Sequence, residues 1–277
     1  LLSLTGANSY SGGTQVAAGK VALDANTALG AGSATFAKDT ELSLGVTKGL
    51  SVANAIEVDG EVDVHSGKFD SSLTGIISGA GSLVKDGTGQ LSLTQDNTYS
   101  GGTQVAAGKV ALDANAALGT GKATFAQNTE LSLGVTQGVS VANAVQVDGA
   151  IKVHSGQFDS NLDGVVSGVG SLVKDGAGTL TLKGTNIYEG GTVVSDGTLA
   201  ISQNANLGKA ETGVTVSNAT LLLNGDIAIE RKVTLAGTTA TLNTAQDTSS
   251  SLDDAVSGTA KLIKTGDGTL TLNTANS

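Results

Sequence analysis

Cysteine, proline, methionine and tryptophan are all absent from this chain of 277 residues. Without cysteine there is no disulfide framework and no thiolate metal site. Its absence also leaves a chain that can cross an oxidising compartment without mispairing. Without proline no backbone donor is deleted, which suits uninterrupted β ladders. Aromatic residues make up only 3%, too little for the large buried ring on which an immunoglobulin-type sandwich usually rests. Arg231 is the single arginine and the net charge is −10. That balance excludes the clustered Lys and Arg that nucleic acids or heparin-like polymers require, and it argues against anchoring on an anionic membrane surface. No run of 18 apolar residues occurs, so the segment is expected to make no direct membrane insertion as a helix. No leader pattern opens the chain.

What is present is glycine, 40 residues of it, with an apolar fraction of 39% and a mean hydropathy of +0.12. The apolar fraction is too high for a disordered chain, and the glycines lack the three-residue period of collagen. A β-rich fold with many tight turns remains.

The turns belong to a repeat. Tyr10, Tyr99 and Tyr188, the only tyrosines, are each 89 residues apart. Phe36 and Phe125, Phe69 and Phe158, and His65 and His154 keep the same spacing. Residues 10–88 laid on 99–177 give 60 identities in 79 positions. A third copy is more diverged and has slipped by one, as Lys85, Lys174 and Lys264 show. The expected organisation is one continuous unit over 1–277, with repeats 1–89, 90–178 and 179–268 and the start of another at 269–277. It reads as three periods cut from a longer array, and Asn8, Asn97, Asn186 and Asn276 fall at one phase.

The 19 differences between the first two copies act as a substitution experiment. Leu50/Val139, Ile56/Val145, Val62/Ile151, Ile76/Val165, Ile77/Val166 and Ala80/Val169 exchange apolar residues and read as core. Lys38/Gln127, Asp39/Asn128, Lys48/Gln137, Glu57/Gln146, Asp63/Lys152 and Lys68/Gln157 exchange polar residues and read as solvent-facing. In 61–65 against 150–154 alternate residues stay apolar while their neighbours change charge. That is the period of a strand with one buried face.

Apolar pairs begin at Val21, Leu42, Val62, Leu91 and Val110, in steps of 21, 20, 29 and 19. The steps predict four coils per repeat, one carrying an insertion near 69–82. Short strands, Gly and Asn corners and coils near 20 residues define the expected fold: all-β, a right-handed parallel β-helix of about a dozen coils. A stack of that size makes a rod on the order of 60 Å long.

The segments "GQLSLTQDNTYSGGTQVAAGKVAL" at 89–112 and "GTLTLKGTNIYEGGTVVSDGTLAI" at 178–201 resemble the passenger-associated repeat of Gram-negative autotransporters. So does the start of the chain, and "GDGTLTLNTANS" resembles the first half of a fourth copy. The resemblance covers under half of the chain. It implies a passenger exported by type V secretion to the outer-membrane surface or beyond, through a C-terminal β-barrel of the parent chain. It also implies an adhesin-like role in cell–cell aggregation, biofilm formation or host attachment, with a host-cell surface component or another copy of the chain as partner. A passive stalk presenting a distal domain is the alternative. A polysaccharide-acting enzyme is a third reading.

The residues themselves point to no chemistry. There is neither G-x-S-x-G nor G-D-S-G, and His65 and His154 alternate outward beside Val64 and Val153, as strand histidines do. Glu57, Asp59, Glu61 and Asp63 form the densest acidic group and could suit glycoside hydrolysis. In the second copy they become Gln146, Asp148, Ala150 and Lys152, a loss that a repeated site would not survive. The Asp-Gly corners at 85–89 and 174–178 lack the G-G-x-G-x-D nonapeptides of calcium-binding rolls. The Gly-Lys pairs at 19–20 and 121–122 lack the Ser/Thr of a phosphate loop. No catalytic, cofactor-binding or metal-binding residue is therefore expected, and no cofactor.

Overall fold

The structure, a computed structural model, describes residues 1–274; Asn276 lies outside the described residues. The chain divides into two compact units, 1–132 and 133–277. In each, short strands of two to six residues pair in parallel, every strand with its equivalent one coil away. The fold is a parallel β-solenoid, and a single 3-10 turn, Asn204–Leu207, is its one helical element among the described residues.

The first unit builds three sheets. One carries Leu2–Leu4, Gly19–Leu23, Thr40–Leu44, Glu61–His65, Ser82–Asp86, Thr103–Val105 and Ala123–Phe125. A second carries Thr14–Val16, Ala34–Phe36, Ile56–Val58 and Ile77–Ser78, and a third Ser51–Val52, Ser71–Leu73, Gln90–Leu93 and Lys109–Leu112. Alternation places one set of side chains inside. Register then aligns them into columns, such as Leu2, Val21, Leu42, Val64, Lys85, Val105 and Phe125. Burying each such Leu or Val removes enough apolar surface to stabilise by about 1.5–3 kcal/mol. The second unit has the same design. One of its columns is Val153, Lys174, Val194, Val216 and Leu235.

The repeat does not hold a whole number of coils. From Leu2 to Phe125 the column above takes 123 residues in six steps, about 20.5 per coil, so 89 residues make about four and a third. The expected insertion near 69–82 is absent. Val62 aligns with Leu83, an ordinary step of 21, whereas Leu91 lies in another sheet, aligned with Ser71. The 29-residue step joined residues of two faces. The consequence is a phase shift. Leu2–Leu4 and its copy Gln90–Leu93 occupy different sheets of the first unit, and Thr179–Leu182 and its copy Thr269–Leu272 occupy different sheets of the second. A group repeated every 89 residues thus moves to another face.

The recurring motif makes the corners. Asn97 Oδ1 accepts the backbone N–H of Ile77, one coil before, and its Nδ2 donates to the carbonyl of Ala117, one coil after. Asn186 does the same between Val166 and Asn206. Tyr99 and Tyr188 are fully buried and pair with Thr103 and Thr192 at 2.5 and 2.6 Å. Each ring lies against a glycine one coil on, Gly119 or Gly208, where φ is +68° or +81° and a Cβ would meet the ring at 3.0 or 2.8 Å. Only glycine meets both conditions. Val105, Val110 and Leu112 are buried, as their alternation implies.

The polar exchanges between copies, Lys38, Asp39, Lys48, Glu57, Asp63 and Lys68, all stand at exposed positions. The apolar set divides. Leu50, Ile56, Val62 and Ile77 are core, but Ile76 and Val165 are 51% and 42% exposed, and Ala80 and Val169 also face solvent. Both corrected pairs stand at corners, outside the strand alternation that marks the core.

Candidate functional site

His65 ends the strand Glu61–His65 and aligns with Asp86 on the next coil. Its Nδ1 is 2.8 Å from Asp86 Oδ1. His154 Nδ1 stands 2.7 Å from Asp175 Oδ1, and Lys152 Nζ is 3.1 Å from the other oxygen of the same carboxylate. Each histidine is half-buried, in a unit of its own, with its own aspartate. No hydroxyl is hydrogen-bonded to either ring among the described residues, so the nucleophile of a Ser-His-Asp arrangement has no candidate at hand.

The acidic group of the first copy is not one site. Glu57 lies on the sheet of Ile56–Val58, and Glu61 and Asp63 lie on the sheet of Glu61–His65. All three, and Asp59, are exposed. Partial burial raises the pKa of Asp63, and Asp86, Glu61, Glu41 and Asp39 push it further up. Lysines answer much of the remaining charge: Lys20 pairs with Glu41 at 2.5 Å and Lys109 with Glu130 at 2.7 Å. Lys20, of the first Gly-Lys pair, is thus an ion-pair partner on a strand. Lys122, of the second, lines a shallow cleft of about 230 Å³ with Glu61, Gln104 and Thr124. No group of three or more His, Cys, Asp or Glu could hold a metal ion among the described residues.

Three buried cations escaped the sequence reading. Lys85 and Lys174 stand in the apolar columns, at 1% and 0% exposure. The Lys85 ammonium donates to the carbonyls of Asp86, Gly87 and Ala107, and that of Lys174 to those of Asp175, Gly176 and Asp196. The aliphatic stem fills the core while the head ties the Asp-Gly corner to the coil above it. Burial lowers both ammonium pKa values to about 8. Arg231, also buried, donates to Asn204, Leu207, Gly208, Lys209 and Thr212, and so holds the 3-10 turn and the loop after it. The lysines had one legible signal. Lys38, Lys48 and Lys68 all become Gln in the second copy, whereas Lys85 stays Lys.

The passenger-associated-transport-repeat family matches residues 2–23, 83–112, 172–201 and 262–277. Its complete matches begin on the strand that bears the corner lysine and end on the second strand past the buried tyrosine. The adhesin BmaC autotransporter of Brucella suis biovar 1 (strain 1330) is 36% identical over 137 residues, 48% of this chain. That alignment covers about 4% of the adhesin's length, so the chain compares with a small part of it. No solved structure matches. The motif, its place at the corners of a parallel solenoid and the likeness to an autotransporter identify the chain as an autotransporter passenger segment, part of a secreted, cell-surface protein of Gram-negative bacteria.

Proposed function

We propose that this segment is adhesive, its outer faces engaging a host-cell surface component or another copy of itself in aggregation, biofilm formation or attachment. One observation carries the reading. Between copies the corners and columns are kept, while the exposed positions change charge, Glu57 to Gln146, Asp63 to Lys152 and Lys68 to Gln157. A duplicated scaffold with drifting outer faces extends a contact surface, and it does not multiply a singular catalytic site. The named relative is an adhesin, which supports the same reading. The parent chain would carry a C-terminal outer-membrane β-barrel.

Display of residues 1–277 on a non-adherent bacterium tests it. Cells bearing the segment are expected to settle faster or to bind cultured host cells more than cells bearing the barrel alone. No gain in either assay leaves the stalk reading in its place.

A further inference from the structure

We propose that a groove beside Phe69 binds a neutral hexopyranose residue of a glycan. The groove holds about 330 Å³ and lies on the outer side of the first unit, lined among others by Lys20, Ser43, Val46, His65, Lys68 and Phe69. That volume is at the lower end of ligand-sized clefts, roughly 300–1,000 Å³, and suits one or two sugar rings.

Its chemistry is mixed in the way a sugar is mixed. Phe36 and Phe125 are inside the core, but Phe69 is part-exposed at the corner between Glu61–His65 and Ser71–Leu73. With Val46, 60% exposed, it supplies an apolar wall for the C–H face of a pyranose. The polar groups are charged but already compensated. Lys20 is held by Glu41 at 2.5 Å, His65 by Asp86 at 2.8 Å, and the Lys68 ammonium lies 5.2 Å from the Phe69 ring centroid. The histidine's Nε2 has no hydrogen bond among the described residues. Donors and acceptors therefore stand side by side with no excess charge of one sign, which matches hydroxyls that donate and accept. An anionic ligand would meet Glu41, Asp63 and Asp86, and a cationic one would meet Lys20 and Lys68.

The inference deepens the adhesive reading by naming the class of partner. Its test uses the purified chain in solution, so failure here leaves the cell-display result standing, and the reverse holds too. The 277-residue chain is titrated with methyl glucoside, galactoside, mannoside and N-acetylglucosaminide, and with methyl glucuronide, while the two His and four Phe rings are followed by NMR. At least one neutral glycoside is expected to shift the Phe69 and His65 signals and leave those of Phe36 unmoved. The glucuronide should bind about tenfold more weakly. Phe69→Leu should weaken binding about tenfold with an unchanged melting temperature. Val46→Glu, at an exposed position that burdens no core, should do the same should the first variant misfold. The proposal is overturned if no neutral glycoside moves these signals, if the glucuronide binds as tightly, or if the folded variants bind like the parent.

Discussion

The Lys85 ammonium donates to the carbonyl of Ala107, 3.0 Å away and one coil further along the chain. Two more of its bonds close the corner from which the side chain starts. A charged group thus takes the place of a leucine in the core and joins neighbouring coils through backbone oxygens alone.

Lys85→Met is expected to destabilise the chain by about 1–3 kcal/mol at neutral pH. Three carbonyls lose a donor, and the relieved burial of charge offsets part of that loss. Urea denaturation checks it; a Met variant more stable than the parent would overturn the role. The pH dependence is sharper. Both buried lysines have folded pKa values near 8, below the unfolded value of about 10.4. Between those limits the unfolded chain holds more protons, so stability rises with pH across that window. In the Lys85→Met, Lys174→Met double variant the rise should vanish.

Above about pH 10 the tyrosines reverse the trend. Burial raises the Tyr99 phenol strongly and that of Tyr188 to about 12. Groups with raised pKa stabilise below the unfolded value and lose that contribution as pH climbs through the folded one. Stability should therefore peak near pH 10 and fall beyond it. Tyr99→Phe with Tyr188→Phe should blunt the fall. A decline as steep as in the parent would place its cause elsewhere.

Gly119→Ala should cost about 2–5 kcal/mol. It combines a left-handed backbone with a Cβ driven into the Tyr99 ring and carbonyl. Gly6→Ala, where nothing lies within 4 Å, is the control and should change little. Equal midpoints for the two variants in thermal unfolding would refute the tyrosine–glycine lock.

Arg231→Lys keeps the charge and loses the planar fork that reaches five residues. The loop around the 3-10 turn Asn204–Leu207 should become a preferred site of limited proteolysis, with the other corners still protected. Unchanged cleavage kinetics there would show that the loop orders without the guanidinium.

Much of this was legible in the sequence. Val62 and Val64 alternating with Glu61 and Asp63 could only be a half-buried strand, because strand side chains point to opposite faces in turn. The spacing of Tyr10, Tyr99 and Tyr188 declared the duplication, and the near-20-residue steps declared the coils. The absence of proline and cysteine removed competing frameworks. The groove beside Phe69 was not legible, since Lys20, Ser43 and His65 meet there only through stacking of successive coils.

Tertiary structure decided two further things. One is the phase of the repeat: Leu91 looked like the next residue of the Val62 column, yet it belongs to another sheet. A one-dimensional pattern records when an apolar pair recurs, and cannot tell which of three equivalent faces it has reached. The other is the fate of the rare cations. Lys85, Lys174 and Arg231 look like surface charges by type, but the corners and the loop leave carbonyls inside that need donors. Burial of a cation is sustained only where such a set of acceptors converges, and that convergence exists only once the coils are stacked.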